Sequence, residues 1–160
     1  MTDKTKKVFF SFLIFLALIM LTGCKEKEGV IAMTKEYALW STYLEKNDAC
    51  LDDIATNLLT DVSWKAKKAD DKWTVTLKGK VQTEYPDPTI TKAVNYYLSS
   101  ISADLSQYTL SFDFVYKYGS PHYAGGKVSN GSDTEVMTSA EEEELLNTFY
   151  LLYKTIFLKK

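Results

Sequence analysis

The clearest pattern in the chain is the alternation of apolar and polar residues over 108–117. The apolar positions are Tyr108, Leu110, Phe112, Phe114 and Tyr116, and the polar positions between them are Thr109, Ser111, Asp113 and Lys117. A period of two predicts a β-strand with one buried and one wet face. Such a strand is typical of an antiparallel sheet that is covered on one side only.

A second alternating stretch predicts a β-hairpin. Apolar residues alternate with polar ones on both sides of residues 70–71. A two-residue loop at 70–71 would place Ala66 opposite Val75 and Trp64 opposite Leu77. Both apolar sets then share one face, so the phase of the alternation fixes the register.

Four segments carry apolar residues at intervals of three and four, which predicts helices with one buried face. The predicted N-terminal caps are Asp48 for the second helix, Asp87 for the third, and a capping box of Ser139 and Glu142 for the last. The stripes are Met33, Tyr37, Trp40 and Leu44; Leu51, Ile54 and Leu58; Ile90, Val94, Tyr97 and Ile101; Leu145, Phe149, Leu152 and Ile156.

The order of these elements predicts an α+β fold. We expect a two-layer sandwich, in which an antiparallel sheet of three to four strands has helices packed on one face. Residues 119–131 are rich in glycine and are predicted to be an irregular loop, with a weak hairpin between Val128 and Val136 as the source of a fourth strand.

The first 24 residues follow a different pattern. Three lysines precede an uncharged apolar run over 8–21, and Leu21-Thr22-Gly23-Cys24 comes next. This order is typical of an export signal, and the last four residues resemble the lipobox of bacterial prolipoproteins. The resemblance implies a signal peptide over 1–23, acylation of Cys24 with chains such as palmitate, and a membrane-anchored, extracytoplasmic protein at the cell surface or in the periplasm. An uncleaved membrane helix is the alternative that the apolar run leaves open.

The remaining chain is divided into a short charged tether over 24–30 and a single domain over 31–160. The net charge of −2 gives no reason to expect nucleic acid as a partner. With Cys24 acylated, Cys50 has no partner for a disulfide, and its apolar neighbours predict a small core residue rather than a nucleophile.

Candidate chemistry is sparse. His122 is the only histidine, so a cluster of histidines cannot bind a metal. No motif predicts a cofactor, a metal site or a catalytic pair of carboxylates. The candidate binding residues form two groups: Tyr118, His122 and Tyr123 at the glycine-rich loop, and Lys65, Lys78 and Lys80 on the open face of the predicted sheet.

These observations favour a non-catalytic binding or accessory module of the bacterial cell envelope. The expected partners are the membrane, through acylated Cys24, and an envelope protein or an anionic polymer. Two alternatives stay open: a small hydrolase that uses His122 with a nearby serine or aspartate, and an inhibitor or immunity-type lipoprotein.

Overall fold

A computed structural model describes residues 25–37, 49–99, 105–131 and 133–158. Within these ranges the fold is α+β, with one five-stranded antiparallel sheet in the order β1-β2-β3-β4-β5. The strands are β1 Leu59–Ala69, β2 Lys72–Val81, β3 Thr109–Lys117, β4 Ser120–Asn130 and β5 Asp133–Val136. The helices are α1, residues 25–35, α2 Leu51–Leu58, α3 Pro88–Leu98 and α4 Ser139–Leu152. A π-helical turn, Tyr153–Phe157, extends α4.

The predicted fold class is confirmed, with one strand more than the three to four expected. The predicted signal peptide over 1–23 and the lipid attachment site Cys24 lie outside the described residues. The same holds for Trp40, Leu44, Asp48 and Ile101.

The register predicted for the first hairpin is confirmed. Ala66 pairs with Val75, and Trp64 pairs with Leu77. The loop residues Asp70 and Asp71 both have positive φ, 48° and 60°. That conformation belongs to a type I′ turn, whose twist matches the twist of the two strands that it joins.

The core lies between the inner face of the sheet and the helices. In β3 the inner residues Leu110, Phe112 and Phe114 are each at most 3% exposed. From α4, Leu145, Phe149 and Leu152 are buried in the same hydrophobic cluster, as the helical spacing predicted. The predicted N-cap Asp87 is confirmed as well, because its carboxylate accepts a hydrogen bond from the Thr89 N–H at 2.8 Å.

Gly79 occupies a place on the inner face of β2 that has no room for a side chain. A Cβ atom there would lie 3.0 Å from Leu59 Cβ and 3.2 Å from the Thr60 carbonyl oxygen. Neither atom belongs to the free end of a flexible side chain. The absence of a side chain at 79 therefore lets β1 and β2 approach each other where β1 is irregular, between Thr60 and Ser63.

We expect Gly79→Ala to lower the free energy of unfolding by about 1–3 kcal/mol, because overpacking displaces the neighbouring strand. Urea unfolding followed by circular dichroism measures the change. Gly29→Ala is the matched control, since a Cβ at Gly29 in α1 meets nothing within 4 Å and alanine favours a helix. Equal midpoints for Gly79→Ala and the unaltered protein would contradict the prediction.

The tether predicted over 24–30 is wrong for residues 25–30, which form the first turns of α1. Val30 is 6% exposed, and the Glu26 carboxylate accepts hydrogen bonds from Trp73 Nε1 at 3.0 Å and from Lys68 Nζ at 3.1 Å. These contacts fasten α1 to the β1-β2 hairpin. Met33, predicted to face the core, is instead 48% exposed.

Two further local predictions are corrected by the structure. The irregular loop predicted over 119–131 is largely strand β4, which pairs with β3 along its length and with β5 near its end. The hairpin expected between Val128 and Val136 is confirmed. The capping box of α4 consists of Thr138 and Glu141, one residue earlier than predicted.

Candidate functional site: the open face of the sheet

The side of the sheet that faces away from the helices, here called the open face, gathers most of the predicted binding residues. Strand pairing places each of its side chains beside others of the same face, because directly paired residues point the same way. The open face comprises Lys65, Lys67, Thr74, Thr76, Lys78, Lys80, Ser111, Asp113, Val115, Lys117, Ser120, His122, Lys127 and Ser129.

The register brings together two groups that were predicted separately. Lys67 pairs with Thr74, Thr74 with Val115, and Val115 with His122, so one row crosses four strands. Lys65 lies in the next row, beside Thr76. Neighbouring strands are about 4.8 Å apart, so a row of four strands spans roughly 15 Å. His122 therefore shares one surface with the predicted lysines rather than lying in a separate loop.

One carboxylate organises the centre of the open face. Asp113 accepts a hydrogen bond from the Thr76 hydroxyl at 2.6 Å and pairs with Lys127 Nζ at 3.1 Å. Lys80 pairs with Asp61 at 3.6 Å. Lys65, Lys67, Lys78 and Lys117 form no ion pair with any residue that the structure describes, and all four side chains are exposed. The open face thus carries an excess of positive charge.

The open face is also polar in character. Aromatic side chains of the four long strands, such as Trp64, Trp73, Phe112 and Tyr116, belong to the inner face within the described ranges. Protein interfaces usually have an apolar or aromatic centre. Regularly spaced ammonium and hydroxyl groups without such a centre suit a hydrated, negatively charged ligand better.

Tyr123, a predicted binding residue, lies on the other side of the sheet. Its ring packs on the ring of Phe114 with centroids 5.7 Å apart. Burial, with the nearby carboxylates of Glu142 and Asp113, raises the pKa of Tyr123 well above its usual range. Its hydroxyl is buried and forms no hydrogen bond with the described residues. Tyr123 therefore packs against the core on the inner side of the sheet and not on the open face, and its part in binding stays a prediction.

His122 and Tyr123 face opposite sides because neighbouring residues of a strand alternate. A β-bulge then shifts the phase of β4, so that Tyr123 and Gly126, three residues apart, both pair with inner residues of β3. The register with β3 shifts by one residue between the pairs Asp113/Gly125 and Phe114/Tyr123. Gly125 supports the bulge with a φ of 136°. The next residue is Gly126, and its N–H donates a hydrogen bond to Glu142 Oε1 at 2.6 Å. Glu142, predicted to cap α4, instead ties that helix to the bulge.

His122 has one polar partner among the described residues. Its Nε2 lies 3.2 Å from the Ser120 hydroxyl oxygen, two residues earlier on the same strand. A serine and a histidine at this distance are the first two members of a hydrolytic triad. No carboxylate of the described residues bonds to the other ring nitrogen, and both side chains are exposed.

Cys50 lies apart from this surface, at the N-terminus of α2. It is partly exposed rather than fully buried, and its Sγ–H donates to Asp53 Oδ2 at 3.1 Å. Burial raises the pKa of the Cys50 thiol, and the Asp53 carboxylate adds to that effect. A thiol held in its protonated form is a poor nucleophile.

Other kinds of site are not found in the described ranges. They contain no group of three histidine, cysteine, aspartate or glutamate residues placed to hold a metal ion. None of the helices in these ranges is both long enough and apolar enough to cross a bilayer. Comparison with family models, curated proteins and solved structures gives no match to this chain. The functional argument therefore depends on the chemistry of the open face and on the N-terminal sequence.

Proposed function

We propose that the protein is a lipid-anchored, non-catalytic binding module of the bacterial cell envelope, and that its open face binds an anionic polymer. The observation that supports binding most directly is the cluster of four exposed lysines that form no ion pair with the described residues, on one hydroxyl-rich surface. The N-terminal order of basic residues, apolar run and Leu-Thr-Gly-Cys supports export and acylation at Cys24.

The distribution of charge favours this ligand class. The whole chain has a net charge of −2, yet the open face holds Lys65, Lys67, Lys78, Lys80, Lys117 and Lys127, of which only two pair with described carboxylates, Lys127 with Asp113 and Lys80 with Asp61. A local positive field on an acidic protein attracts polyanions to one side only. Since the chain contains no arginine, bidentate recognition of single phosphates is absent, and lysines act as spaced point charges.

Charge reversal tests the proposal. We expect Lys65→Glu combined with Lys78→Glu to weaken binding to a poly(glycerol phosphate) probe on the order of tenfold, because two attractive charges become repulsive. Binding of the unaltered protein should also fall as salt rises. The dissociation constants are measured by titrating each protein against the probe immobilised on a surface.

The control is Lys92→Glu combined with Lys154→Glu, which makes the same change in net charge on helix residues that are exposed. Affinity that is lost equally in both double variants would indicate a general charge effect and contradict binding by the open face. Crosslinking in intact cells followed by mass spectrometry then identifies the natural partner. Capture of an acidic envelope protein in place of a polymer would replace the ligand class proposed here.

The pair Ser120 and His122 supports a second candidate, a small hydrolase. Its prediction is distinct: His122→Ala should abolish hydrolysis of a model ester while leaving the melting temperature unchanged, because the side chain is exposed. A binding module instead shows no hydrolysis before or after the change.

A further inference from the structure

One end of the sheet carries two tight turns side by side. The β1-β2 turn contains Asp70 and Asp71, and the β3-β4 turn contains Tyr118 and Gly119. Trp73 pairs with Tyr116 across β2 and β3, so the two turns lie at the same end of the sheet. We call this end the turn end. The β4-β5 turn, which follows Asn130, lies at the opposite end.

Helix α1 is fastened at the turn end. Glu26, in its first turn, accepts hydrogen bonds from Lys68 and Trp73, which flank the β1-β2 turn. Later in the helix, Met33 Sδ lies 2.9 Å from the Tyr116 hydroxyl. The beginning of the described structure is therefore held close to both turns.

The short stretch of chain between Cys24 and α1 restricts where a lipid on Cys24 can be. Cys24 precedes Glu26 by two residues, and two residues span at most about 7 Å. Acyl chains on Cys24 must enter the bilayer, so the bilayer surface has to pass close to Glu26 and to the turn end beside it. A long flexible linker would remove this restriction, but residues 25–35 are helical.

Tyr118 is suited to meet that surface. Its side chain is fully exposed at the tip of the β3-β4 turn, and its φ of 52° is uncommon for a bulky residue. The turn is held in shape by the Tyr116 hydroxyl, which donates to the Gly119 carbonyl at 2.7 Å. A tyrosine with a wet hydroxyl and an apolar ring is favoured at the boundary between headgroups and acyl chains.

We propose that the turn end is the membrane-facing end of the domain and that Tyr118 inserts into the headgroup layer of the bilayer. The proposal rests on the acylation of Cys24 that the proposed function includes. Lys72 and Lys117 flank the two turns as exposed ammonium groups and can contact lipid phosphates. The strands then run along the membrane normal, and the open face points parallel to the membrane.

A labelling experiment on the full acylated protein tests this orientation. Tyr118→Cys and Asn130→Cys are each made with Cys50→Ser, so that one thiol accepts a fluorophore. The proteins are reconstituted in vesicles of phosphatidylethanolamine and phosphatidylglycerol that contain a lipid with a quencher on its headgroup. We expect several-fold stronger quenching at 118 than at 130, because position 130 lies at the opposite end of the sheet.

The outcomes separate the two proposals. Equal quenching at 118 and 130, or quenching at neither, in protein that floats with the vesicles contradicts the orientation and leaves the lipid anchor intact. Protein that does not float, and whose Cys24 has an unmodified mass, contradicts the anchor and the orientation together. Circular dichroism of both labelled variants shows whether each has kept its fold.

Discussion

Phe114→Ala is expected to lower the free energy of unfolding by about 3–5 kcal/mol. Phe114 is 1% exposed, and its ring contacts Tyr37 from the segment after α1 and Tyr123 from β4. Removal of the ring leaves a cavity and also deletes both aromatic contacts. Because a domain of this size is stable by only about 5–15 kcal/mol, the variant should unfold at a much lower urea concentration.

The matched control is Val115→Ala, one residue further along β3 on the open face. Val115 is only partly buried, so this change should alter the free energy of unfolding by about 1 kcal/mol or less. If the two variants unfolded at the same urea concentration, Phe114 would not occupy the centre of the core.

Cys24→Ala is expected to eliminate acylation and to leave the chain beginning at Met1. Each buried methylene of an acyl chain contributes about 0.8 kcal/mol to membrane binding, so two or more chains on Cys24 would form a stable anchor. The mass of the N-terminal peptide from purified protein measures both changes. It should begin at Cys24 with acyl groups in the unaltered protein and at Met1 in the variant.

The chain supplies its own control, since Cys50 is the other cysteine. Cys50→Ala should leave the N-terminal mass unchanged, because its thiol lies in the domain at the start of α2. A native protein that begins at Met1 and carries a free thiol at position 24 would favour the uncleaved membrane helix instead.

The alternation of residue types was sufficient to predict the inner face of the sheet. The pairing of Trp64 with Leu77 followed from phase alone, because a slip by one residue would expose every apolar side chain. The final helix was predictable for a similar reason. Its wide apolar stripe, which includes Phe149 and Leu152, requires a large buried surface.

Strand β4 could not be recognised from its sequence because glycines and a bulge conceal its period. Gly125 and Gly126 indicate a turn in most contexts, yet here they lie at a bulge. The Gly126 N–H donates a hydrogen bond to Glu142 of α4, 16 residues further along the chain. That long-range contact leaves no local signal. This changed the candidate site. His122 was predicted to lie in a loop and is on the open face, whereas Tyr123 was predicted at the same loop and packs against the core.

The first helical turns were missed for a different reason. Lysine and glutamate over 25–28 suggested a solvated tether, although both residue types favour helices. What stabilises α1 is tertiary: burial of Val30 and the hydrogen bonds of Glu26 to the hairpin. The cap of α4 was misplaced by one residue because Thr138/Glu141 and Ser139/Glu142 both fit the same spacing.

Under the proposed acylation of Cys24, the two-residue separation of Cys24 and Glu26 limits how far from the bilayer the domain can reach. β1 has 11 residues, and a strand of that length is about 36 Å long. A ligand more distant than this from the lipid headgroups stays out of reach, whatever its charge. The proposal therefore predicts partners that occupy this thin layer next to the bilayer, and not components confined to the outer part of a thick wall.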